Sequence, residues 1–417
     1  MAARRGAQES GHGRAAVSQS LNIAFFGSSL VSSYWNGAAT YYRGIIRALH
    51  ARGHRITFYE PDAFERQQHR DIEPPEWARV VVYPADEDGA LRALEQARGA
   101  DVVVKASGVG VNDALLEREA LNLRAPGCEV VFWDVDAPAT LERMQADADD
   151  PFRALVPQYD LILTYGGGPP VVETYRRFGA CDCVPIYNAL DPDTHHPVEP
   201  QPRYAADLSF LGNRLPDREA RVHRFFFDAA QRLPNCTFLL GGAGWDEVPG
   251  NVHALGHVAT ADHNAFNCSA RLVLNINRDS MARFGWSPPT RVFEAAGAGA
   301  CLIVDAWKGI EEFLEPDREV LVAEDGAAVA RYIHSVDATH ARRIGARARL
   351  RLLNEHTYAR RAAEVEEVLA SAHAPPYSKH SIVRPGALEG EPMELQGTPS
   401  VFRSLGTNGL EKQDAHT

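Results

Sequence analysis

The sequence predicts an α/β protein built from two doubly wound, Rossmann-like domains that face each other across a cleft. Short apolar runs of strand length alternate with segments of helical periodicity, which is typical of parallel strands joined by crossover helices. The 417 residues exceed what one such domain requires. A proline-rich stretch without periodicity divides the pattern near its middle, so we predict two domains, followed by C-terminal helices and a disordered tail.

The strands of the first half are predicted from apolar runs bounded by turn residues. They cover 21–27, 55–59, 79–83, 101–105, 129–133 and 160–164. Between the first two strands, Tyr42, Ile45, Ile46 and Leu49 follow helical spacing, and Gly53 ends that helix.

The second half of the chain repeats this alternation. Its predicted strands cover 207–211, 237–240, 271–276, 301–304 and 319–322. Predicted helices lie near 217–232, 288–298 and 325–335. The repeat of the pattern predicts a second parallel sheet with its own crossover helices.

The domain boundaries are predicted from changes in composition. A stretch rich in proline and polar residues separates the two halves, and the composition changes again after Ala370. We predict a flexible leader over 1–20, a first domain over 21–190, a hinge linker over 191–205, a second domain over 206–371 and a disordered tail over 372–417.

Composition excludes several classes of protein. A net charge of −12 argues against a nucleic-acid partner. No apolar run is long enough to span a membrane, so integral membrane association is not expected, and the N-terminal residues lack the apolar core of a secretory signal. The six scattered cysteines are expected to be reduced thiols in a cytoplasmic protein.

The segment from Ser287 to Asp305 carries the most specific signal. It is predicted to form a helix, a small-residue turn and a buried strand, with Ser287 as the N-cap and Pro288 in the first helical position. Glu294 lies two turns into this helix, where its carboxylate can hold a ribose diol, and the N–H groups at the helix N-terminus favour a diphosphate. Gly297 lets the backbone approach a neighbour closely. The segment therefore predicts a nucleotide-sugar site.

Two loops that follow first strands are further candidates, because doubly wound folds bind ligands there. Asn36 and Gly37 precede the first helix and leave its N–H groups open to an anion. Arg214 and Arg218 follow the first strand of the second domain, where they can neutralise a diphosphate leaving group. A solvated basic turn explains Arg214 and Arg218 equally well.

Polar residues also end two later strands. Asn275, Asn277 and Arg278 follow the strand at 271–276 and are predicted to face the crevice. Asp134 and Asp136 match the Asp-x-Asp spacing of metal-dependent sugar transferases, but residues two apart with β geometry need a turn to share an ion. We therefore predict no metal site and expect Asp136 to face the cleft.

These segments resemble the group 1 glycosyltransferases of the GT-B fold, and within them the CgeB-like spore-maturation proteins. The run Arg291-Val-Phe-Glu294-Ala-Ala-Gly-Ala-Gly is similar to the family segment R-x-F-E-A-x-A-x-G, and the resemblance spans roughly 21–370. It implies that Glu294 holds the ribose of the donor and that Arg291 belongs to the donor site. It also implies that Arg214 and Arg218 grip the donor diphosphate.

The resemblance has one departure in the loop before the helix. Group 1 enzymes commonly carry an E-x7-E arrangement, and Trp286 occupies the place of its first glutamate. Trp286 is therefore expected to contact the donor sugar in a different way, and the resemblance places Gly37, next to Asn36, in the loop beside the transferred sugar. Retention or inversion at the anomeric carbon stays open.

Together these observations predict a metal-independent glycosyltransferase. It would move a sugar from a nucleoside-diphosphate sugar to a hydroxyl of a glycan, lipid or small-molecule acceptor, with no cofactor beyond this co-substrate. Asp136 is the candidate general base for the acceptor hydroxyl. Two alternatives stay open: a nucleotide-sugar epimerase of the same fold, and a non-catalytic nucleotide- or sugar-binding protein, which Trp286 favours.

Overall fold

The computed structural model describes residues 20–34 and 36–372, and this part of the chain contains the two predicted parallel sheets. The predicted leader, apart from Ser20, and the predicted tail beyond Ala372 lie outside the described residues.

The first sheet has seven parallel strands in the order β3-β2-β1-β4-β5-β6-β7. They are β1 (Asn22–Phe26), β2 (Arg55–Asp62), β3 (Arg79–Pro84), β4 (Val102–Ala106), β5 (Glu129–Asp134), β6 (Leu161–Thr164) and β7 (Cys183–Pro185). The six predicted strands are confirmed. β7 was not predicted, because a three-residue edge strand is too short to give an apolar run.

Helices cover both faces of this sheet, which explains why its central strands are apolar on both sides. The helices of this half are α1 (Ala39–Ala51), α2 (Glu87–Gln96), α3 (Asp113–Glu119), α4 (Ala137–Ala146) and α5 (Gly168–Arg177). Two apolar clusters result, one on each face, with Phe25 and Trp133 in one and Phe26 and Phe132 in the other.

The second sheet has six parallel strands in the order β10-β9-β8-β11-β12-β13. They are β8 (Ala206–Leu211), β9 (Phe238–Gly241), β10 (Val252–Gly256), β11 (Ala270–Asn275), β12 (Leu302–Asp305) and β13 (Leu321–Ala323). β10 was not predicted. It is an edge strand whose three central residues are exposed, so it lacks a continuous apolar signal.

The second half and the end of the described chain contribute eight α-helices to this part of the structure. They are α6 (Pro216–Val222), α7 (Asp228–Arg232), α8 (His263–Ser269), α9 (Asp279–Phe284), α10 (Thr290–Gly297), α11 (Gly326–Ser335), α12 (Ala338–Glu355) and α13 (Tyr358–Ala372). A π-helical turn, His223–Phe227, joins α6 to α7. The three predicted helices of this half are confirmed.

The start of α10 differs from the prediction. Its N-cap is Pro289 rather than Ser287, and no side chain of the described residues caps it. The Ser287 hydroxyl donates to the carbonyl of Gly285 at 2.9 Å instead. The extended conformation of Pro289 keeps Ser287 two residues too far from the helix to reach its first N–H groups.

The last helix also differs from the prediction, which placed it in the second domain. Tyr358, Val365 and Leu369 of α13 are buried in the apolar cluster of the first sheet. Gly44 of α1 permits this packing, because a Cβ there would lie 2.2 Å from the Tyr358 ring. The chain therefore crosses back to the first half after α12.

The segment between the two sheets has little regular structure. A short 3-10 helix at Pro202–Tyr204 precedes β8, and Leu190 exchanges backbone hydrogen bonds with His356 and Tyr358. The predicted hinge at 191–205 stays a prediction. Among the helices of residues 20–34 and 36–372, none combines the length and apolarity that a membrane crossing requires.

Candidate functional site

The strand orders of the two sheets define where a ligand would bind. In each sheet the order reverses between the first and fourth strands, which are β1 and β4, and β8 and β11. Doubly wound sheets bind ligands beyond the carboxyl ends of such a strand pair. At the second sheet, a small pocket is lined by Asn275, Arg291 and Glu294.

Glu294 is the carboxylate of this pocket. It lies on α10 and is only 7% exposed. Burial raises the pKa of Glu294, but the electrostatic influence of His195, Arg291 and His263 outweighs burial and lowers it below its usual value. A buried carboxylate that stays ionised is suited to accept hydrogen bonds from hydroxyl groups.

Arg291 lies beside Glu294, and Arg218 lies near Arg291. Arg291 approaches the carboxylate to 3.9 Å, one turn earlier on α10. Burial and the nearby charge of Arg291 lower the pKa of Arg218 to about 10, so Arg218 stays cationic at neutral pH. Among the described residues, Nε of Arg218 and Nη1 of Arg291 are buried without a hydrogen-bond partner. Buried donors of this kind indicate an anionic ligand.

Arg278 connects the two halves of the molecule. Its Nη1 lies 3.0 Å from Oδ2 of Asp136 in the first half, and its Nε donates to Asp217 of α6. Burial lowers the pKa of Arg278, but the two carboxylates outweigh burial and raise it. Oδ1 of Asp136 is buried and has no hydrogen-bond partner among the described residues. Asp136 therefore faces the second half, with one oxygen paired and one oxygen unpaired.

Asn275 and Asn277 form part of the floor of the crevice. Nδ2 of Asn275 contacts Oδ1 of Asn277 at 3.3 Å, and the backbone N–H of Asn277 donates to Asp305 at 3.1 Å. Asp305 is buried and pairs with Arg221 of α6. The amides thus support the loop that carries Arg278.

Arg214 does not join this group. It is exposed and pairs with Glu219 at 2.7 Å. Its other charged neighbours, Asp246 and Glu247, are acidic. The geometry matches the solvated basic turn better than a diphosphate contact.

In the loop between β1 and α1, the polar groups form hydrogen bonds mainly with one another. Asn36 is buried, accepts from Ser28 at 2.8 Å, and donates to the carbonyls of Ser29 and Ser32. No described atom lies within 4 Å of a Cβ built on Gly37. Asn36 therefore stabilises the loop, whereas Gly37 borders open space near the start of α1.

Two other predicted residues serve in packing. The space beside Gly297 is filled by Leu190 and the backbone of His195, so the close approach there is to the linker rather than to a ligand. Trp286 packs against Gly168 of the first half, its carbonyl accepts from Gly167 at 2.7 Å, and its indole N–H donates to Glu312.

The two carboxylates of the Asp-x-Asp pair separate as expected for alternating β geometry. Asp134 is buried and accepts hydrogen bonds from Ser107, Thr140 and Tyr175, whereas Asp136 reaches Arg278.

Sequence reasoning missed three residues at the site. His195 and His263 flank Glu294, and Asp217 shares Arg278 with Asp136. The two histidines could not be found from the motif on α10, because they are distant from it in sequence. His195 lies in the linker and His263 starts α8. Only the fold brings them to the same carboxylate.

Comparison with known proteins supports this description of the fold. Residues 218–367 match the model of a family described as glycosyl transferase-like. Sucrose-phosphate synthase from Thermosynechococcus elongatus superposes with a TM-score of 0.62 at 14% identity, over 84% of this chain and 98% of that chain. The fold is GT-B.

Two further GT-B structures are complexes with a nucleotide. Anabaena HepE in complex with UDP and glucose has a TM-score of 0.57 at 14% identity, over 84% of this chain and 100% of that chain. An alpha-glucosyltransferase in complex with UDP and a 13-mer DNA has a TM-score of 0.62 at 12% identity, with the same coverage. At these identities the likeness establishes the GT-B fold alone. No curated protein matches the sequence.

Proposed function

We propose that this GT-B protein is a glycosyltransferase that moves a sugar from a nucleoside-diphosphate sugar to an acceptor hydroxyl. One observation carries the proposal: Arg218 and Arg291, which lie near each other, hold buried N–H donors without hydrogen-bond partners among the described residues, and Arg291 adjoins the ionised carboxylate of Glu294. A diphosphate attached to a ribose suits both groups: its anionic oxygens accept from the arginines, and its diol donates to the carboxylate. The family match over 218–367 includes all three residues.

In the proposed donor complex, Glu294 accepts hydrogen bonds from the ribose hydroxyls. Arg218 and Arg291 bind the diphosphate, and the uncapped N-terminus of α10 adds its N–H groups. These cations stabilise the charge that develops on the leaving diphosphate, so the proposed transfer requires no metal ion.

The transfer step forms a bond between the acceptor oxygen and the anomeric carbon and breaks the bond from that carbon to the diphosphate. The acceptor hydroxyl must lose its proton, and we assign Asp136 as the base that receives it. Its unpaired Oδ1 is the free position, while Arg278 holds Oδ2 at 3.0 Å and fixes the carboxylate across the crevice.

The acceptor is proposed to be a glycan, a lipid or a small molecule, bound from the first half near Gly37. A cytoplasmic location and kinship with CgeB-like proteins belong to the same proposal. They rest on the composition and on the motif around Glu294.

A second candidate is a nucleotide- or sugar-binding protein without catalysis. Trp286 favours it, because its indole N–H is already used by Glu312 and its ring is packed against Gly168. An indole cannot replace the hydrogen bonds that a glutamate gives a sugar. An epimerase of the same fold would instead require a carboxylate or histidine on each side of one sugar.

Binding and turnover of donors separate these candidates. A thermal-shift panel with UDP, GDP, ADP and their sugars should give stabilisation by one base, since a ligand that binds the native state raises its apparent stability. Incubation with that nucleotide sugar should then release nucleoside diphosphate. Tight binding without release would favour the binding protein, and a 2-epimer would favour the epimerase. Absence of stabilisation by every nucleotide would contradict all three.

A further inference from the structure

Three side chains converge on one point at the inner end of the crevice. Nε2 of His195 lies 4.0 Å from Oε1 of Glu294, and Nδ1 of His263 lies 3.9 Å from Oε2. One ligand atom from each of the three residues lies within 4.8 Å of the other two. The two measured separations are too long for hydrogen bonds. The two rings and the carboxylate thus face a common gap without bonding to each other.

The hydroxyl of Thr194 orients the ring of His195. Its oxygen lies 2.9 Å from Nδ1 of His195 and 3.2 Å from the carbonyl oxygen of Asp191. With Nδ1 held by this contact, Nε2 is the nitrogen that faces Glu294. Metal-binding histidines are oriented by the same kind of bond at their other nitrogen.

His263 offers the second nitrogen. Its Nδ1 is buried and has no hydrogen-bond partner in the part of the chain that the structure describes. Neutral imidazole is the form that binds a metal ion.

We propose that His195, His263 and Glu294 form a three-ligand site for a zinc-like divalent ion. Two histidines and one glutamate are a known zinc ligand set that leaves a fourth position open. Ligand atoms at about 2.0–2.2 Å from a tetrahedral ion are roughly 3.4 Å apart, so rotamer shifts of about an ångström would close the gap. Arg291, which approaches the same carboxylate, has a side chain that is 38% exposed and can turn toward solvent.

Because Glu294 cannot bind an ion and a ribose diol at once, the ion competes with the nucleotide. This second step rests on the proposed function. The ion is therefore an inhibitor of donor binding and takes no part in transfer, which agrees with a metal-independent reaction.

The experiment is titration of the metal-free full-length protein with ZnCl₂ by calorimetry, repeated with Co²⁺ to read ligand geometry from its visible absorption. We expect one ion per chain. His195→Ala and His263→Ala should each weaken zinc binding by about tenfold or more, and Thr194→Val should weaken it by about 10- to 100-fold because it removes the bond that orients His195. His196→Ala is the matched control, since His196 is half-buried, adjacent in sequence, and contacts the Pro197 carbonyl through Nδ1.

Absence of stoichiometric binding, or binding that both His195→Ala and His263→Ala leave unchanged, would overturn the site. A second titration measures the affinity for UDP with and without saturating Zn²⁺. Zinc should raise the apparent Kd of UDP in the wild type and in His196→Ala, and this effect should disappear in His263→Ala. Zinc binding at these histidines in a protein that binds no nucleotide would support the metal site while contradicting the proposed function. Simultaneous binding of zinc and UDP would overturn the competition.

Discussion

The carboxyl edges of the two sheets use similar polar residues in different ways. At the edge of the first sheet, Asn36 and Asp134 form hydrogen bonds with neighbouring loops and side chains. At the edge of the second sheet, buried donors of Arg218 and Arg291 lack hydrogen-bond partners among the described residues. The same fold therefore supports one edge that is internally satisfied and one edge with unsatisfied buried donors, which we propose bind an anion. Asp136 is the exception in the first half, because it reaches across to Arg278.

Among the variants that test the difference between the two edges, Asp136→Asn should have the largest effect. This change should lower the rate of transfer by about 10²–10⁴-fold, because a positioned general base contributes that much. The affinity for UDP should be kept, since Asp136 belongs to the first half. Steady-state rates and calorimetric UDP titrations measure the two effects. An unchanged rate would remove Asp136 from the chemistry.

Arg218→Ala tests the second edge. It should weaken UDP binding by about 10- to 100-fold, because a hydrogen bond to a charged group contributes about 1.5–3 kcal/mol. Uridine, which lacks the diphosphate, should bind Arg218→Ala and the wild type nearly equally. Equal losses for UDP and uridine would mean that Arg218 supports the pocket rather than the diphosphate.

Asp134→Ala tests the internally satisfied edge. The change leaves the hydroxyls of Ser107, Thr140 and Tyr175 without their acceptor, and an unsatisfied buried group costs about 1–3 kcal/mol. We expect a lower free energy of unfolding in urea and an unchanged UDP affinity in the folded fraction. A loss of UDP affinity without a loss of stability would contradict the assignment of Asp134 to structure rather than to UDP binding.

Arg214→Ala should have the smallest effect. Arg214 is exposed and paired with Glu219, and exposed pairs contribute about 0–1 kcal/mol. UDP affinity should therefore change by no more than a few-fold, which makes this variant the matched control for Arg218→Ala. A loss as large as that of Arg218→Ala would restore Arg214 to the diphosphate site.

The sequence by itself determined the fold class and most of the strands. Each central strand is buried on both faces, so its sequence is a continuous apolar run. Such a run can be recognised without knowing which strands lie beside it. The edge strands β7 and β10 escaped prediction because they are short or exposed. The sequence also predicted Glu294 as a site residue, since a helix followed by a small-residue turn is a local pattern, and in the structure Glu294 lines a pocket.

The tertiary structure alone decided which residues meet. Linker residue His195 and α8 residue His263 reach the same carboxylate on α10, and Arg278 finds partners in both halves. α13 packs on the first sheet although it follows the second in the chain. Local periodicity encodes which face of an element is buried, but contacts between distant segments depend on the path of the whole chain. For that reason the sequence located the candidate donor edge, and only the fold showed how its charges are paired.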